Sequence, residues 1–182
     1  MLNNWVVMPT CLPVVLRRCH SCASGRFRAN GKFRVNANHK LLDAWLLVLC
    51  ADCGETAGLT VLERTNVRSV RPELLDRMHA NDPALAAELL QDPVVRRRNR
   101  IALDWDGAWR LDTGGLDHLD REVIDVSVRF AARIPVRPQR LIAEGCRLPR
   151  AEVERLIAEG RIVSAVRLNG RLSGDFTFTL KR

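Results

Sequence analysis

"CHSCASGRFRANGKFRVNANHKLLDAWLLVLCADCG", residues 19–54, decides how the first third of this 182-residue chain folds. It opens and closes on the same device: Cys19 and Cys22, then Cys50 and Cys53, each pair separated by two residues. A C-x-x-C turn points both sulfurs at one centre, and two such turns supply four thiolates for a tetrahedral shell. Gly54 fits the tight turn after the second pair, where backbone amides can donate to the sulfurs. The spacing points to a structural Zn²⁺ held by Cys19, Cys22, Cys50 and Cys53. Rubredoxin-like iron or a metal-free redox pair are the alternatives. Cys11 and Cys146 lack such spacing and read as small apolar residues.

Between the pairs, "GRFRANGKFRV" reads as a hairpin about Asn30-Gly31. A three-residue loop, Ala29 to Gly31, would pair Phe27 with Phe33 and Arg28 with Lys32. That register gathers the aromatics on one face and Arg26, Arg28, Lys32 and Arg34 on the other. "KLLDAWLLVLC" is then a strand apolar on both faces except at Asp43, which calls for cover on both sides. "GLTVLER" supplies a third strand. Four thiolates around one Zn²⁺ carry a net charge of −2, so Arg17, Arg18, Arg26 and Arg28 can either offset it or meet nucleic acid.

Hydrophobic residues make up 47% and charged residues 27% of the chain, which excludes disorder as the default. The formal charge is +8, yet only three of the 29 basic residues are lysines, so base composition competes with phosphate recognition as the cause. The excess lies at the two ends. Residues 1–68 carry nine basic and four acidic groups and residues 119–182 thirteen and eight, whereas residues 69–118 are slightly acidic. Three segments follow: a zinc ribbon over 1–68, a helical middle packed on it over 69–118, and a helix-pair domain over 119–182. The opening "MLNNWVVMPTCLPVVLRR" is interrupted by Pro9 and Pro13 and resembles neither a membrane span nor a signal peptide. The expectation is a cytoplasmic protein with reduced thiols and no membrane partner.

In the middle, "RPELLDRM", "NDPALAAELL" and "DPVVRRRNRIAL" are three proline-led helix starts, with Asp82 and Asp92 as N-caps. The run Arg96, Arg97, Arg98 and Arg100 is either a solvated helix face or a positive patch. "DWDGAW" is a turn at Asp106-Gly107, with Trp105 and Trp109 expected to pack under the ribbon. "NGKFRVNANHKLLDAWLLVLCADCGETAGLTVLER" with "DPVVRRRNRIALDW" resembles a bacterial zinc-ribbon family catalogued only as a domain of unknown function, ten-sixty-two. That resemblance implies a cytoplasmic zinc-binding protein and transfers no catalytic residue.

The tail begins with the strand "EVIDVSVRF". It then spells "RLIAEG" twice, at 140–145 and 155–160. The repeat reads as two helix C-termini, each closed by a left-handed glycine, Gly145 and Gly160. "AVRL", Asn169-Gly170 and "DFTFTL" would form a closing hairpin. Strand, helix pair and Asn-Gly hairpin together resemble the S4-type RNA-binding domain. "RPQRL" matches its first element, "PR" at 149–150 the second, and "GRI" with "LNG" the last two. The resemblance implies phosphate contacts by Arg137, Arg140, Arg150 and Arg161. Departures from the pattern are a missing aspartate, Pro149 in place of serine, and a longer stretch from Gly160 to Asn169.

The expected class is therefore α+β: an amino-terminal zinc ribbon, a short helical middle and a carboxy-terminal S4-like α/β unit. No paired carboxylates, nucleotide loop or Cys-His nucleophile stand out, and His20, His39, His79 and His118 have no recognisable catalytic companion. Neither an enzyme nor a small-molecule substrate is expected. The expected partner is RNA, with the ribosome as a candidate. A protein-interaction adaptor and a DNA-binding regulator using residues 150–159 as recognition helix are the alternatives.

Overall fold

A computed structural model describes residues 2–115 and 122–181. In chain order it contains β1 (Leu2–Pro9), β2 (Val14–Leu16), β3 (Arg26–Asn38), β4 (Leu41–Cys50), β5 (Thr56–Asn66), α1 (Pro72–His79), α2 (Pro83–Gln91) and α3 (Pro93–Asn99). There follow β6 (Ala102–Asp104), β7 (Trp109–Asp112), β8 (Val123–Phe130), α4 (Pro138–Cys146), α5 (Arg150–Ala158), β9 (Ile162–Val163) and β10 (Phe176–Lys181). The fold is mixed α+β with two five-stranded sheets. It divides into two compact units, Leu12–Asp106 and Met1–Cys11 with Gly107–Arg182. The helices of the middle segment share a unit with the cysteine-bearing sheet, and the first residues group with the tail. Among the described residues, no helix is long and apolar enough to cross a membrane.

In the Leu12–Asp106 unit the strand order is β5-β4-β3-β2-β6, antiparallel throughout. β4 sets its core. Leu42, Ala44, Leu46, Val48 and Cys50 are buried on one face, while Leu41, Asp43, Trp45, Leu47 and Leu49 are half-buried on the other. Met78 of α1 and Leu85, Ala86 and Leu90 of α2 close over the buried face, where Val15, Phe27, Leu46 and Leu59 meet them. All three helices begin on proline. Asp82 caps α2 through the Ala84 N–H at 2.8 Å, and Asp92 caps α3 through the Val94 N–H at 2.6 Å. The second face of β4 is half-buried rather than fully covered, so the expectation of cover on both sides is corrected.

The expected hairpin at Asn30-Gly31 is also corrected. β3 runs continuously through that point and pairs with β4, Ala29 opposite Val48 and Phe33 opposite Leu46. The residues between them form a bulge in which Gly31 takes φ +74°. The Lys32 N–H donates to the Asn30 side chain and the Phe33 N–H to the Asn81 side chain. The bulge re-phases β3 so that Phe27 and Phe33 pair with Cys50 and Leu46, two residues of the buried face of β4. The chain instead reverses at His39–Lys40, where His39 is left-handed at φ 54°.

The other unit has strand order β7-β1-β8-β10-β9. β1 pairs in parallel with β8, so the opening apolar stretch is an interior strand, with Trp5 and Val7 buried. In α4, Leu141, Ile142 and Cys146 are buried, as are Val153 and Leu156 in α5. α5 ends as expected, with Gly160 at φ +68°. α4 does not: Gly145 lies inside the helix, which runs on to Cys146 and closes on a left-handed Arg147 at φ 54°. A Cβ on Gly145 would stand 2.3 Å from the Trp5 ring, so the residue is glycine for close approach and not for a turn. The closing hairpin is corrected too. β10 pairs with β8 on one side and with Ile162–Val163 on the other, and Leu172 bridges to Val136 instead.

Candidate metal centre

The two C-x-x-C turns have the same backbone geometry. The Cys19 N–H donates to the Ser24 carbonyl at 2.7 Å and the Cys50 N–H to the Glu55 carbonyl at 2.8 Å, five residues on in each case. Each pair is followed by a left-handed residue, Ala23 at φ 61° and Gly54 at φ 74°. The second turn hangs on the end of β4, and the first on the link from β2 to β3. Antiparallel pairing of Phe27 with Cys50, together with the bond from the Ala51 N–H to the Arg26 carbonyl, ties the two turns to one end of the sheet.

All four sulfurs lie within 4.8 Å of one another. Cys19 Sγ is 3.7 Å from Cys53 Sγ, and Cys22 Sγ is 3.5 Å from Cys50 Sγ. A tetrahedral shell with Zn–S bonds of about 2.3 Å places its sulfurs about 3.8 Å apart. The residues therefore fit a structural Zn²⁺. Cys19 and Cys50 are buried while Cys22 and Cys53 face solvent.

Without a cation the sulfurs cannot all ionise. The Cys53 N–H, helped by Asp52, holds the Cys50 thiol down at about 6. At Cys53 the Glu55 N–H favours the thiolate, but the neighbouring Cys22, Cys50 and Cys19 sulfurs and desolvation push the group up to about 12. Cys22 accepts from the Ser24 N–H, yet burial and the Cys50 and Cys19 sulfurs leave its thiol raised. A divalent cation at the centre reverses this repulsion, which couples metal uptake to proton release.

The sequence-derived arginines separate into two groups. On β3, Arg26 pairs with Asp104 at 3.3 Å, whereas Arg28, Lys32 and Arg34 are exposed and meet no carboxylate among the described residues. In the tail, Arg150 pairs with Glu154 at 3.0 Å, and Arg161 donates to the Lys181 carbonyl at 3.0 Å. The Arg140 guanidinium lies 4.9 Å from the centroid of the Trp109 ring, and Arg137 is exposed at the start of α4. Trp109 thus stands in β7, in the other unit, while Trp105 is buried. Arg98 donates to the Val61 carbonyl, and Arg96, Arg97 and Arg100 line a depression of about 500 Å³. His118 lies outside the described residues.

Sequence reasoning missed a second feature of the same sheet. Arg34, Trp45, Leu47, Thr56 and Gly58 line a cavity of about 350 Å³. The signal was available in part, since a glycine inside a strand often marks close approach by another group. Its partner across the strand pair could be known only once the register was fixed.

No curated protein and no solved structure matches the chain. A family model does, over residues 35–168. The match takes in Cys50 and Cys53 and begins after Cys19 and Cys22. The chain belongs to the family described as "Protein of unknown function (DUF1062)".

Proposed function

We propose that this is a non-enzymatic zinc-ribbon protein of the cytoplasm that binds RNA through its cysteine-bearing sheet. One observation carries the reading: Arg28, Lys32 and Arg34 are exposed along β3 with no carboxylate among the described residues to pair with them. Cations left unpaired beside a structural centre suit a phosphate backbone better than an internal role. The four-cysteine site supports binding rather than catalysis, because four protein thiolates fill the zinc shell and leave no position for water or substrate. An S4-like tail is the second surface in this proposal. It is the weaker one, since Arg150 and Arg161 already have internal partners. The ion pairs of Arg155 with Glu152 and Glu159 likewise make α5 a poor helix to enter a DNA groove.

The test is a salt titration of RNA binding with the zinc-loaded full chain. Each phosphate contact on a single strand contributes about 0.7 to the slope of log affinity against log salt. Changing Arg28, Lys32 and Arg34 together to glutamine should flatten the slope by about two units, with zinc content unchanged. The triple change of Arg137, Arg140 and Arg150 should flatten it less. Absence of binding to any RNA at low salt refutes the proposal.

A further inference from the structure

We infer that the outer face of β3, β4 and β5 is a platform for single-stranded RNA, in which an unpaired base stacks on the indole of Trp45. This rests on the RNA-binding reading above and specifies its ligand.

Trp45 stands in the middle of β4 on the half-buried face, directly opposite Arg34 of β3 and Thr60 of β5. Across β5 lies Gly58, paired with Leu47. A Cβ on Gly58 would come within 3.1–3.2 Å of the indole Cδ1, Cβ and Cγ atoms, so the ring rests over a strand position with no side chain. Arg34, Trp45, Leu47, Thr56 and Gly58 line a cavity of about 350 Å³ on this face. Its size falls at the lower end of the range for ligand pockets, about 300–1,000 Å³. An aromatic wall and an aliphatic neighbour suit a flat, mostly apolar ring system.

The charge around the cavity selects what that ring is attached to. Arg34 lines it, Arg28 pairs across β3–β4 with Leu49 on the same face, and Lys32 is exposed between them along the strand. None of the three has a carboxylate partner among the described residues. Asp43 accepts from the Arg64 N–H at 2.8 Å and Asp104 pairs with Arg26, while Glu55, next to Thr56, and Glu63 are exposed. A stacking surface flanked by free cations is complementary to a base carried on a phosphodiester chain. In a duplex the bases are already stacked on each other and unavailable to an indole, which is why the platform favours single strands.

The experiment uses the zinc-loaded full chain and an unstructured oligouridylate of about eight nucleotides, compared with a blunt RNA duplex of the same length. The single strand should bind more tightly and quench tryptophan emission. Trp45→Leu should weaken single-strand binding about tenfold or more and remove the quenching, and Trp45→Phe should recover part of the affinity. Zinc content and melting serve as the folding control. Thr56 is exposed on the rim. Thr56→Glu places a repelling charge there without touching the core, and should cause a comparable loss if Trp45→Leu proves unfolded. Wild-type affinity in both Trp45→Leu and Thr56→Glu, or equal affinity for duplex and single strand, overturns the platform. The RNA-binding reading survives that result if the Arg28, Lys32 and Arg34 variant still loses affinity. It falls, with the platform, if no RNA binds at all.

Discussion

The Trp5 indole lies against Gly145 so closely that a Cβ at that position would be 2.3 Å from its ring. Strand β1, at the start of the chain, is thereby locked to helix α4, more than a hundred residues later. Gly145→Ala should lower stability by about 1–3 kcal/mol through overpacking. Gly160→Ala, a change of backbone preference only, should cost about 1 kcal/mol. Trp5→Phe should recover part of the first loss and none of the second, which a double-mutant cycle by chemical denaturation will read. Equal costs at the two glycines would refute the close-approach account.

Zinc removal should unfold the Leu12–Asp106 unit. Binding energy on the order of 10 kcal/mol for a structural zinc is part of the folding energy. Elemental analysis should find one zinc per chain, and Cys19→Ser or Cys50→Ser, at the two buried ligands, should abolish it together with the cooperative transition. An unchanged melting curve after chelation would contradict this.

Metal affinity should rise with pH. In the metal-free site Cys53 is raised to about 12 and Cys22 is raised as well, so both carry protons at neutral pH that zinc must displace. Cys50, held at about 6, is already largely ionised there and adds little to the dependence above neutrality. Competition against a chelator across about pH 6 to 8 should show tighter binding at the upper end. A flat profile would mean that the thiols are not the ligands.

Ala23 takes the same left-handed conformation as Gly54 but carries a Cβ. Ala23→Gly should relieve roughly 1–2 kcal/mol of backbone strain while adding about 0.5–1 kcal/mol of unfolded-state entropy. The net expectation is a small gain in zinc-loaded stability, measured by denaturant midpoint. A clear loss would show that the Cβ makes a contact the geometry does not suggest.

Arg77 joins α1 to α2. Its Nε bonds Asp82 at 2.6 Å, and its two terminal nitrogens grip both oxygens of Glu88 at 2.9 and 3.1 Å. The Arg77 side chain holds both carboxylates below their usual range. Because the folded-state values are depressed, this stabilisation is present above the unfolded values near 4 and is lost as pH falls through the folded ones. Arg77→Met should therefore reduce stability at neutral pH and flatten the fall below about pH 4. Denaturation midpoints over that range check it, and an acid limb as steep as wild type would refute it.

Local chemistry was legible in the sequence wherever neighbouring residues satisfy one another. The spacing of Cys19, Cys22, Cys50 and Cys53 fixed the metal centre, because each turn closes on itself between a cysteine and the residue five positions on. Asp82 and Asp92 before proline fixed two helix starts, because a cap bonds amides two residues away. Gly160 fixed a helix end for the same reason. Tertiary structure decided whatever depends on a distant partner. The two copies of "RLIAEG" are identical in sequence, but one meets Trp5 and continues to Cys146, while the other ends at Gly160. Asn30-Gly31 has the chemistry of a tight turn, yet β3 pairs with β4 on both sides of it, and the glycine becomes part of a bulge. The platform around Trp45 and Gly58 belongs to this second class. A strand shows which residues share a face, but the register between strands chooses which side chain lies over which glycine, and register is set by the burial of the opposite face.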